Sequence, residues 1–185
     1  MSGLTAGVWL ITGAQASGKS TVAELLAREF EPSAHVRGGQ FYRWAVRGWV
    51  HFNDPGRESD ARRLLDLRYR LSSTVADQYA AEGFTTFVQD NIYGADVGRW
   101  LGSIAARPLH LVVLRPSLAA VQAREAARRS ATGKVAYRGD FTPADNDAHL
   151  ATTPRNLGLW LDTSSQTPDA TAREILVRAS EAQVG

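Results

Sequence analysis

The amino-acid sequence predicts an α/β protein, a single domain in which a parallel five-stranded sheet is covered by helices on both faces. Two observations predict it. Short apolar runs alternate with amphipathic segments of helical length along all 185 residues, and this alternation is typical of parallel strands joined by crossover helices. The chain also shows no internal repeat, low-complexity tract or linker, and its length suits one hydrophobic core.

The predicted strands are short, apolar and rich in β-branched residues. "LHLVVL" is the clearest of them, and "VWLIT" is the first along the chain. The five predicted strands are Val8–Thr12, Ala34–Val36, Phe84–Val88, Leu109–Leu114 and Leu157–Leu161.

The predicted helices are recognised by apolar residues at every third or fourth position and by their end signals. The longest begins at a capping Ser59, runs to Glu82 before Gly83, and has an apolar stripe of Leu64, Leu67, Leu71, Val75 and Tyr79. The other predicted helices are Lys19–Phe30, Phe41–Trp49, Val97–Ala106, Leu118–Arg129, Pro143–Ala151 and Pro168–Ala182. Between two of them, Ser130–Pro143 is polar and contains two glycines, which predicts a mobile, lid-like loop.

A glycine-rich stretch, "GAQASGKS", follows the first predicted strand and opens the first predicted helix. It fits the pattern G-x-x-x-x-G-K-[ST], in which glycines let several backbone N–H groups point at one phosphate and a helix N-terminus adds its dipole. The residues predicted to bind nucleotide here are Gly13, Ala14, Gln15, Ala16, Ser17, Gly18, Lys19, Ser20 and Thr21. Lys19 is predicted to neutralise the transferring phosphate, and Ser20 to ligate Mg²⁺.

Asp90 ends the third predicted strand in "TFVQD". Ligands of open α/β sheets bind outside the carboxyl ends of the strands, so Asp90 is predicted to assist catalysis, by holding Mg²⁺ or its water or by contacting the acceptor. The alternative is an aspartate that caps the following turn.

Arginines follow the fourth predicted strand in "REAARRSATGKVAYRGD". Arg124 and Arg128 are four residues apart and therefore share a helix face. A planar guanidinium stabilises the charge of a transferring phosphoryl group, so Arg124 is predicted to bind nucleotide and Arg128 to be catalytic. The alternative is a solvated helix end, where the helix dipole favours cations.

An aromatic segment, "GGQFYRWAVRGWVHF", is predicted to form one wall of an acceptor pocket. Gln40, Arg43, Trp44 and the nearby Asp54 are predicted to bind the acceptor. The alternative for the aromatic rings is core packing. The alternative for the arginines is a surface role. The four histidines are scattered without metal-ligand spacing, and we interpret them as structural.

Composition excludes several other classes of protein. The net charge is +2, which argues against long nucleic acid as a partner, and the chain contains no cysteine for disulfides or thiol catalysis. The sequence has no signal-peptide pattern and no apolar run of the roughly 18 residues that span a membrane. These features predict a cytoplasmic protein and leave the oligomeric state open.

Four segments, "GAQASGKS", "VQDNIYG", "REAARR" and "GLWLDTS", together resemble the small P-loop kinases grouped around chloramphenicol phosphotransferase, within the nucleotide-kinase-like class. The resemblance runs almost from end to end of the chain. It implies the strand order 2-3-1-4-5, ATP or GTP with Mg²⁺, and transfer of the γ-phosphate to a hydroxyl of a small molecule, antibiotics included.

The chain departs from that family at one position. The resemblance implies a catalytic Asp after the second strand, yet the segment reads "RGGQF" and Gly39 occupies the expected position. Asp90 or Asp54 could replace that base, the reaction could need little base assistance because its transition state is loose, or the chain could bind nucleotide with little turnover. A nucleoside, nucleotide or polynucleotide-end kinase is a further alternative to a kinase of another small hydroxyl compound.

Overall fold

The sheet has five parallel strands, as predicted. The computed structural model describes residues 7–50, 54–133, 135, 137 and 141–185. The strands are β1 (Val8–Gly13), β2 (Ser33–Arg37), β3 (Thr85–Gln89), β4 (Leu109–Leu114) and β5 (Leu159–Leu161). Their order is β2-β3-β1-β4-β5 and every pairing is parallel, which confirms the fold class and the implied strand order.

Helices pack against both faces of the sheet. They are α1 (Lys19–Ala27), α2 (Gly39–Arg43), α3 (Glu58–Ala81), α4 (Ala95–Ser103), α5 (Leu118–Thr132), α6 (Pro143–Ala151), α7 (Pro168–Val177) and α8 (Ala179–Ala182). Because side chains alternate along a strand, Val8 and Leu10 of β1 enter one core with α3, α4 and α6, whereas Trp9 and Ile11 enter the other with α1, α7 and α8. Every residue of β1 and β4 is buried, as expected at the centre of a parallel sheet.

Several helices end at residues other than those predicted, among them α4 at Ser103 and α7 at Val177; α1 and α5 show the physical reasons. α1 ends at Ala27 because the next amides tighten the turn: Glu29 and Phe30 donate to carbonyls three residues earlier, at 3.1 and 3.3 Å. α5 continues to Thr132, where Gly133 in the left-handed conformation (φ 67°) ends it. The predicted lid-like loop therefore begins three residues later, and its residues 134, 136 and 138–140 lie outside the described residues.

The predicted helix over Phe41–Trp49 was wrong in extent, since α2 ends at Arg43. The residues after it are exposed, with 69% of Trp44 and 94% of Val46 accessible to solvent. A short helix that buries little apolar surface is not stable in water. Trp44 contacts the Phe41 ring edge-on but stays mostly exposed, so this segment buries little that would stabilise further turns.

The apolar stripe predicted along α3 was also partly wrong. Leu67 and Tyr79 are exposed to 40% and 44%, whereas small residues such as Ser72 and Ala76 face the interior. The physical reason is Trp100 of α4, which is 2% exposed and whose Nε1 donates to Ser72 Oγ at 2.9 Å. The large ring occupies the space beside α3, so small side chains must face it. The helix also begins at Glu58, with Arg57 rather than Ser59 at its N-cap.

Candidate active site

The loop between β1 and α1 adopts a conformation that depends on its glycines, although Ala16 also has a positive φ of 62°. Gly13 and Gly18 have φ values of 145° and 96°, a region that side chains strongly disfavour. A Cβ at Gly13 would also lie 2.2 Å from the carbonyl oxygen of Leu114 in β4. The motif therefore forms a tight turn against the carboxyl end of the sheet and leads directly into α1, as a phosphate-binding loop requires.

Lys19 is held inside this loop. Its side chain is buried, and Nζ donates to the carbonyl oxygens of Gly13 and Ala14 at 2.8 and 2.6 Å. Burial, together with the charges of Arg68 and Arg128, lowers the pKa of Lys19 to about 7. Three cationic side chains thus converge near the loop, a field that favours a multiply charged anion.

Donor groups near the loop lack partners within the described residues. Ser17 Oγ and Arg128 Nε are both buried there without a hydrogen-bond partner. Buried donors are almost always paired in folded proteins. Two orphaned donors beside a glycine-rich loop therefore fit a phosphate group well.

Arg124 and Arg128 both lie close to the loop, on α5. Arg124 Nη1 donates to the Ser17 carbonyl at 3.2 Å, and its other contacts reach Thr163 in the segment after β5. Arg128 pairs with Glu125. Both arginines therefore lie near the loop, and the direct contact of either one with a phosphate stays a prediction.

Ser20 and Asp90 differ in what they offer a metal ion. Ser20 Oγ donates to Gln89 Oε1 at 2.8 Å, so two neutral oxygen atoms lie together beside the loop. Asp90 follows Gln89 but is fully buried: Arg68 contacts both of its carboxylate oxygens, and Oδ1 also accepts from the Asn91 amide at 2.6 Å. The described residues contain no cluster of three or more His, Cys, Asp or Glu side chains that could hold a metal.

Oxygen ligands of this kind suit Mg²⁺, which binds few protein groups and keeps several waters and phosphate oxygens. Ser20 fits that role directly, with Gln89 beside it. The part of Asp90 in a metal site stays a prediction, and the alternative interpretation as an aspartate of the following turn agrees with its bond to Asn91.

A cavity of about 660 Å³ opens next to the loop. Its walls come from α2, α3, α4, α6 and the segments around them. Gln15 of the loop lies at one wall, and aromatic rings, arginines and carboxylates form the others; these include Tyr42, Trp49, Tyr69, Tyr93, Phe141, Arg62, Arg68, Glu58 and Asp96. Apolar walls with a few convergent polar groups are typical of small-molecule sites, and this volume is within their usual range.

A hydrogen-bond network joins the cavity to the loop. The Tyr93 hydroxyl donates to the Gly13 carbonyl at 2.9 Å, and the buried Asn146 donates to Tyr93 and accepts from the Gln15 amide, at 3.2 and 2.7 Å. Tyr137 donates to the Gln15 carbonyl at 2.9 Å. Burial raises the pKa of Tyr93 and of Tyr137 above the usual tyrosine value, so both hydroxyls remain donors. Residues far along the chain therefore hold the loop in place.

None of the four residues predicted to bind the acceptor lines the cavity. Gln40, Arg43, Trp44 and Asp54 are all described, and the cavity lining does not include them; Arg43 and Trp44 are exposed. Their neighbour Tyr42 lines the cavity instead. Thr21 is exposed on α1, and its contact with nucleotide stays a prediction.

Sequence reasoning did not find several residues of the site. Arg68 and Asn146 carry no short motif, and Gln89 and Tyr93 lie in the segment "VQDNIYG" but were given no role. His149, which we interpreted as structural, lines the cavity. One signal was available: Gln89 and Tyr93 lie within four residues of Asp90, at the carboxyl end of a predicted strand.

No described helix is long and apolar enough to cross a membrane. No curated protein shows a significant match to the sequence.

Several solved structures share the fold. A sugar kinase from a Janibacter species is 19% identical, with a TM-score of 0.65 over 97% of this chain and 96% of that chain. A tunicamycin resistance protein from Deinococcus radiodurans is 15% identical (TM-score 0.62, 97% and 99% covered). A gluconokinase from Sinorhizobium meliloti is 17% identical (TM-score 0.59, 94% and 91% covered).

A family profile described as an AAA domain matches residues 8–141. The match includes β1, the phosphate loop, α3, Asp90 and α5, and it agrees with the resemblance to P-loop kinases that the sequence motifs indicated. The chain therefore belongs to this AAA-domain family of P-loop proteins.

Proposed function

We propose that this protein is an ATP-dependent phosphotransferase that uses Mg²⁺ to move the γ-phosphate to a hydroxyl group of a small molecule. The observation that carries the proposal is the phosphate loop, with Lys19 buried in it, at the wall of a cavity of about 660 Å³. A site that only bound nucleotide would not need a second, largely apolar cavity beside the phosphate loop. Kinases of small molecules among the similar structures support the proposal.

The phosphate-binding part of the site follows from the loop. Backbone amides of Gly13–Ser20 would hold the phosphate chain, and the Lys19 ammonium would exchange its two carbonyl partners for phosphate oxygens. Ser20 would hold Mg²⁺, with Gln89 beside it. When bound, the ion would neutralise part of the phosphate charge. Arg124 and Arg128 would clamp the nucleotide from α5.

In the transfer step the acceptor oxygen forms a bond to the γ-phosphorus while the bond from that phosphorus to the β-phosphate oxygen breaks. ADP carries away the electron pair of the broken bond, and the proton of the acceptor hydroxyl passes to solvent or to a base. Such transfers depend mainly on positioning and on charge stabilisation, which is what the loop and its cations provide. The cavity beside the loop positions the acceptor.

A nucleotide-binding protein with little turnover is the second candidate function. It is favoured by Gly39, which occupies the position where the resemblance implies the catalytic base, and by Asp90, whose two oxygens are already engaged by Arg68. The acceptor of the first candidate, whether an antibiotic, a nucleoside or nucleotide, or another hydroxyl compound, is what a screen must identify.

The test measures formation of ADP from MgATP, or of GDP from MgGTP, by the purified protein, with and without a panel of hydroxyl compounds: sugars, sugar acids, nucleosides and antibiotics. We expect ADP to form only with an acceptor, together with a phosphorylated product seen by mass spectrometry. Tight MgATP binding without product from any acceptor would favour the second candidate, and absence of nucleotide binding would refute both.

A substitution separates the explanations for Gly39. A Cβ added at this position would have no other atom within 4 Å, so Gly39→Asp should fold normally, with Gly39→Asn as the matched control. General base catalysis contributes typically 10²–10⁴-fold, and we expect Gly39→Asp to raise acceptor-dependent turnover by roughly 10²-fold. Unchanged turnover would show that another group accepts the proton.

A further inference from the structure

Arg68 is a largely buried arginine that the phosphate-loop motif does not account for. Its side chain is 12% exposed and extends from α3. Nε donates to Asp90 Oδ2 at 2.9 Å, Nη2 pairs with Oδ1, and the guanidinium lies over the Tyr42 ring at 4.8 Å. Stability alone is a weak explanation for such a pair, because the cost of removing both charges from water offsets most of their attraction.

The Arg68–Asp90 pair lies where the phosphate loop meets the cavity. Asp90 directly follows Gln89, whose side chain accepts from Ser20 of the loop. Arg68 lines the same cavity as Gln15 and as Tyr93, whose hydroxyl donates to the Gly13 carbonyl. The guanidinium therefore lies on the cavity side of the loop, close enough for its charge to lower the pKa of Lys19.

The end of β2 leaves room for this pair. A Cβ at Gly38 would lie 1.9 Å from Asp90 Oδ2 and 2.4 Å from its Cγ. The backbone of Gly38 is in the ordinary right-handed helical region (φ −54°), so the glycine is needed for space and not for conformation. The ends of β2 and β3 can approach around Asp90 only because residue 38 has no side chain.

The geometry points to Arg68 as a catalytic residue of the proposed phosphotransfer, contacting the transferring phosphoryl group from the acceptor side, and to Asp90 as the positioning residue that orients its guanidinium. This inference rests on the proposed function. It adds one catalytic residue and the side from which that residue contacts the phosphoryl group. Asp90 engages Nε and Nη2 of the guanidinium, and Tyr42 also hydrogen-bonds the Arg68 side chain. The N–H donors of Nη1 would then contact the equatorial phosphate oxygens.

The inference also changes the role of Asp90. Asp90 is fully buried, and both of its oxygens are engaged, Oδ2 by Arg68 Nε and Oδ1 by Arg68 and the Asn91 amide, so neither oxygen faces an acceptor hydroxyl. Asp90 would thus act through Arg68 and not as the base.

The experiment compares the wild type with Arg68→Gln and with Arg68→Gln/Asp90→Asn. The double variant is included because Arg68→Gln alone leaves a buried carboxylate without its cation, which destabilises proteins strongly, whereas Gln and Asn can hydrogen-bond as a neutral pair. Arg70→Gln is the matched control, since Arg70 is an exposed arginine on the same helix. Titration calorimetry measures binding of MgADP and of the magnesium complex of adenylyl imidodiphosphate, a non-hydrolysable triphosphate.

We expect the wild type and Arg70→Gln to bind the triphosphate more tightly than MgADP. The double variant should lose at least about tenfold of that preference and keep its MgADP affinity within about threefold. Its acceptor-dependent kcat should fall by roughly 10²–10³-fold, the usual loss on removal of one preorganised donor. Asp90→Asn, which keeps the guanidinium, should retain more of the triphosphate preference than the double variant.

A double variant with unchanged triphosphate preference and kcat would overturn the role of Arg68 and leave the proposed function intact. A wild type that binds no magnesium nucleotide would overturn both. If Asp90→Asn and the double variant lose the triphosphate preference to the same extent, Arg68→Lys decides: a preference restored relative to Arg68→Gln supports Arg68 as the active group. Without that rescue the pair is structural and the inference is wrong.

Discussion

The phosphate loop and the acceptor cavity are adjacent in space but are built in opposite ways. The lysine of the loop is held by local contacts, since its two hydrogen bonds reach carbonyls only six and five residues earlier, although distant residues support the loop from outside. The cavity is assembled from distant segments: Arg62 contacts Asp96 across 34 residues, and Asn146 contacts Gln15 across 131.

This difference teaches which parts of the site a short motif encodes. Positive φ angles at Gly13 and Gly18 and the start of α1 determine the loop, and both are consequences of neighbouring residues. The cavity depends on how α3, α4 and α6 pack, and the network of Tyr93, Asn146 and Tyr137 connects it to the loop.

The largest expected effect comes from the local region. Lys19→Ala removes the ammonium that the loop holds beside its carbonyls, so transfer should fall by at least roughly 10²–10³-fold and MgATP affinity should fall with it. Calorimetry and the ADP-formation assay measure the two losses. Arg28→Ala, at an exposed site just after α1, is the control and should change neither. Wild-type turnover in Lys19→Ala would remove the proposed role of the loop.

A pair of adjacent glycines tests the boundary between the two regions. Gly38→Ala places a Cβ against Asp90 at 1.9 Å, so we expect a loss of about 2–3 kcal/mol in the free energy of unfolding and reduced transfer as the Arg68–Asp90 pair shifts. Gly39→Ala meets no atom within 4 Å and should be neutral or stabilising by up to about 1 kcal/mol, because Ala favours the helix.

Urea unfolding of the two glycine variants measures this contrast. Equal stabilities would mean that the end of β2 relaxes freely, and the close approach at Asp90 would then not constrain the site.

A buried histidine of β4, remote from the loop, allows the pH dependence of stability to be tested independently of the candidate site. His110 is 4% exposed and stacks on Trp9, and burial lowers its pKa from 6.5 to about 4. The unfolded chain therefore binds a proton between pH 6.5 and 4 that the folded protein excludes, so stability falls as pH falls through this window. Integrating that shift gives a loss of about 2 kcal/mol between pH 7 and pH 5.

His110→Phe keeps a ring against Trp9 without a titrating group. Urea unfolding at pH 7 and pH 5 should show a pH-dependent loss about 2 kcal/mol smaller in the variant than in the wild type. Identical pH dependence in both proteins would contradict the assignment to His110.

The smallest expected effect concerns the contact between the lid-like segment and the loop. Tyr137→Phe removes hydrogen bonds to the Gln15 carbonyl and to Asn146 Oδ1, which should weaken MgATP binding by about 1 kcal/mol, or roughly fivefold. Calorimetry measures this affinity, with Tyr79→Phe, an exposed tyrosine of α3, as the control. An unchanged affinity in Tyr137→Phe would show that the segment does not support the loop.

The comparison between sequence and structure follows the same division. β4, α6 and the phosphate loop agree with the predictions because each is defined by neighbouring residues: an apolar run, a Thr142 capping box and a glycine pattern. The buried face of α3 was predicted incorrectly because Trp100, 28 residues after Ser72, determines which side chains fit there. Tyr42 rather than Trp44 lines the cavity because α2 ends after a few residues.

The sequence by itself determined the alternating α/β order, the phosphate loop and the position of its lysine, since these depend on backbone conformation and on residues a few positions apart. Only the tertiary structure decided that Arg68 pairs with Asp90, that Gly38 leaves room for that pair, and which rings line the cavity. The physical reason is that close packing couples side chains from separate elements, and no local pattern records which of them will meet.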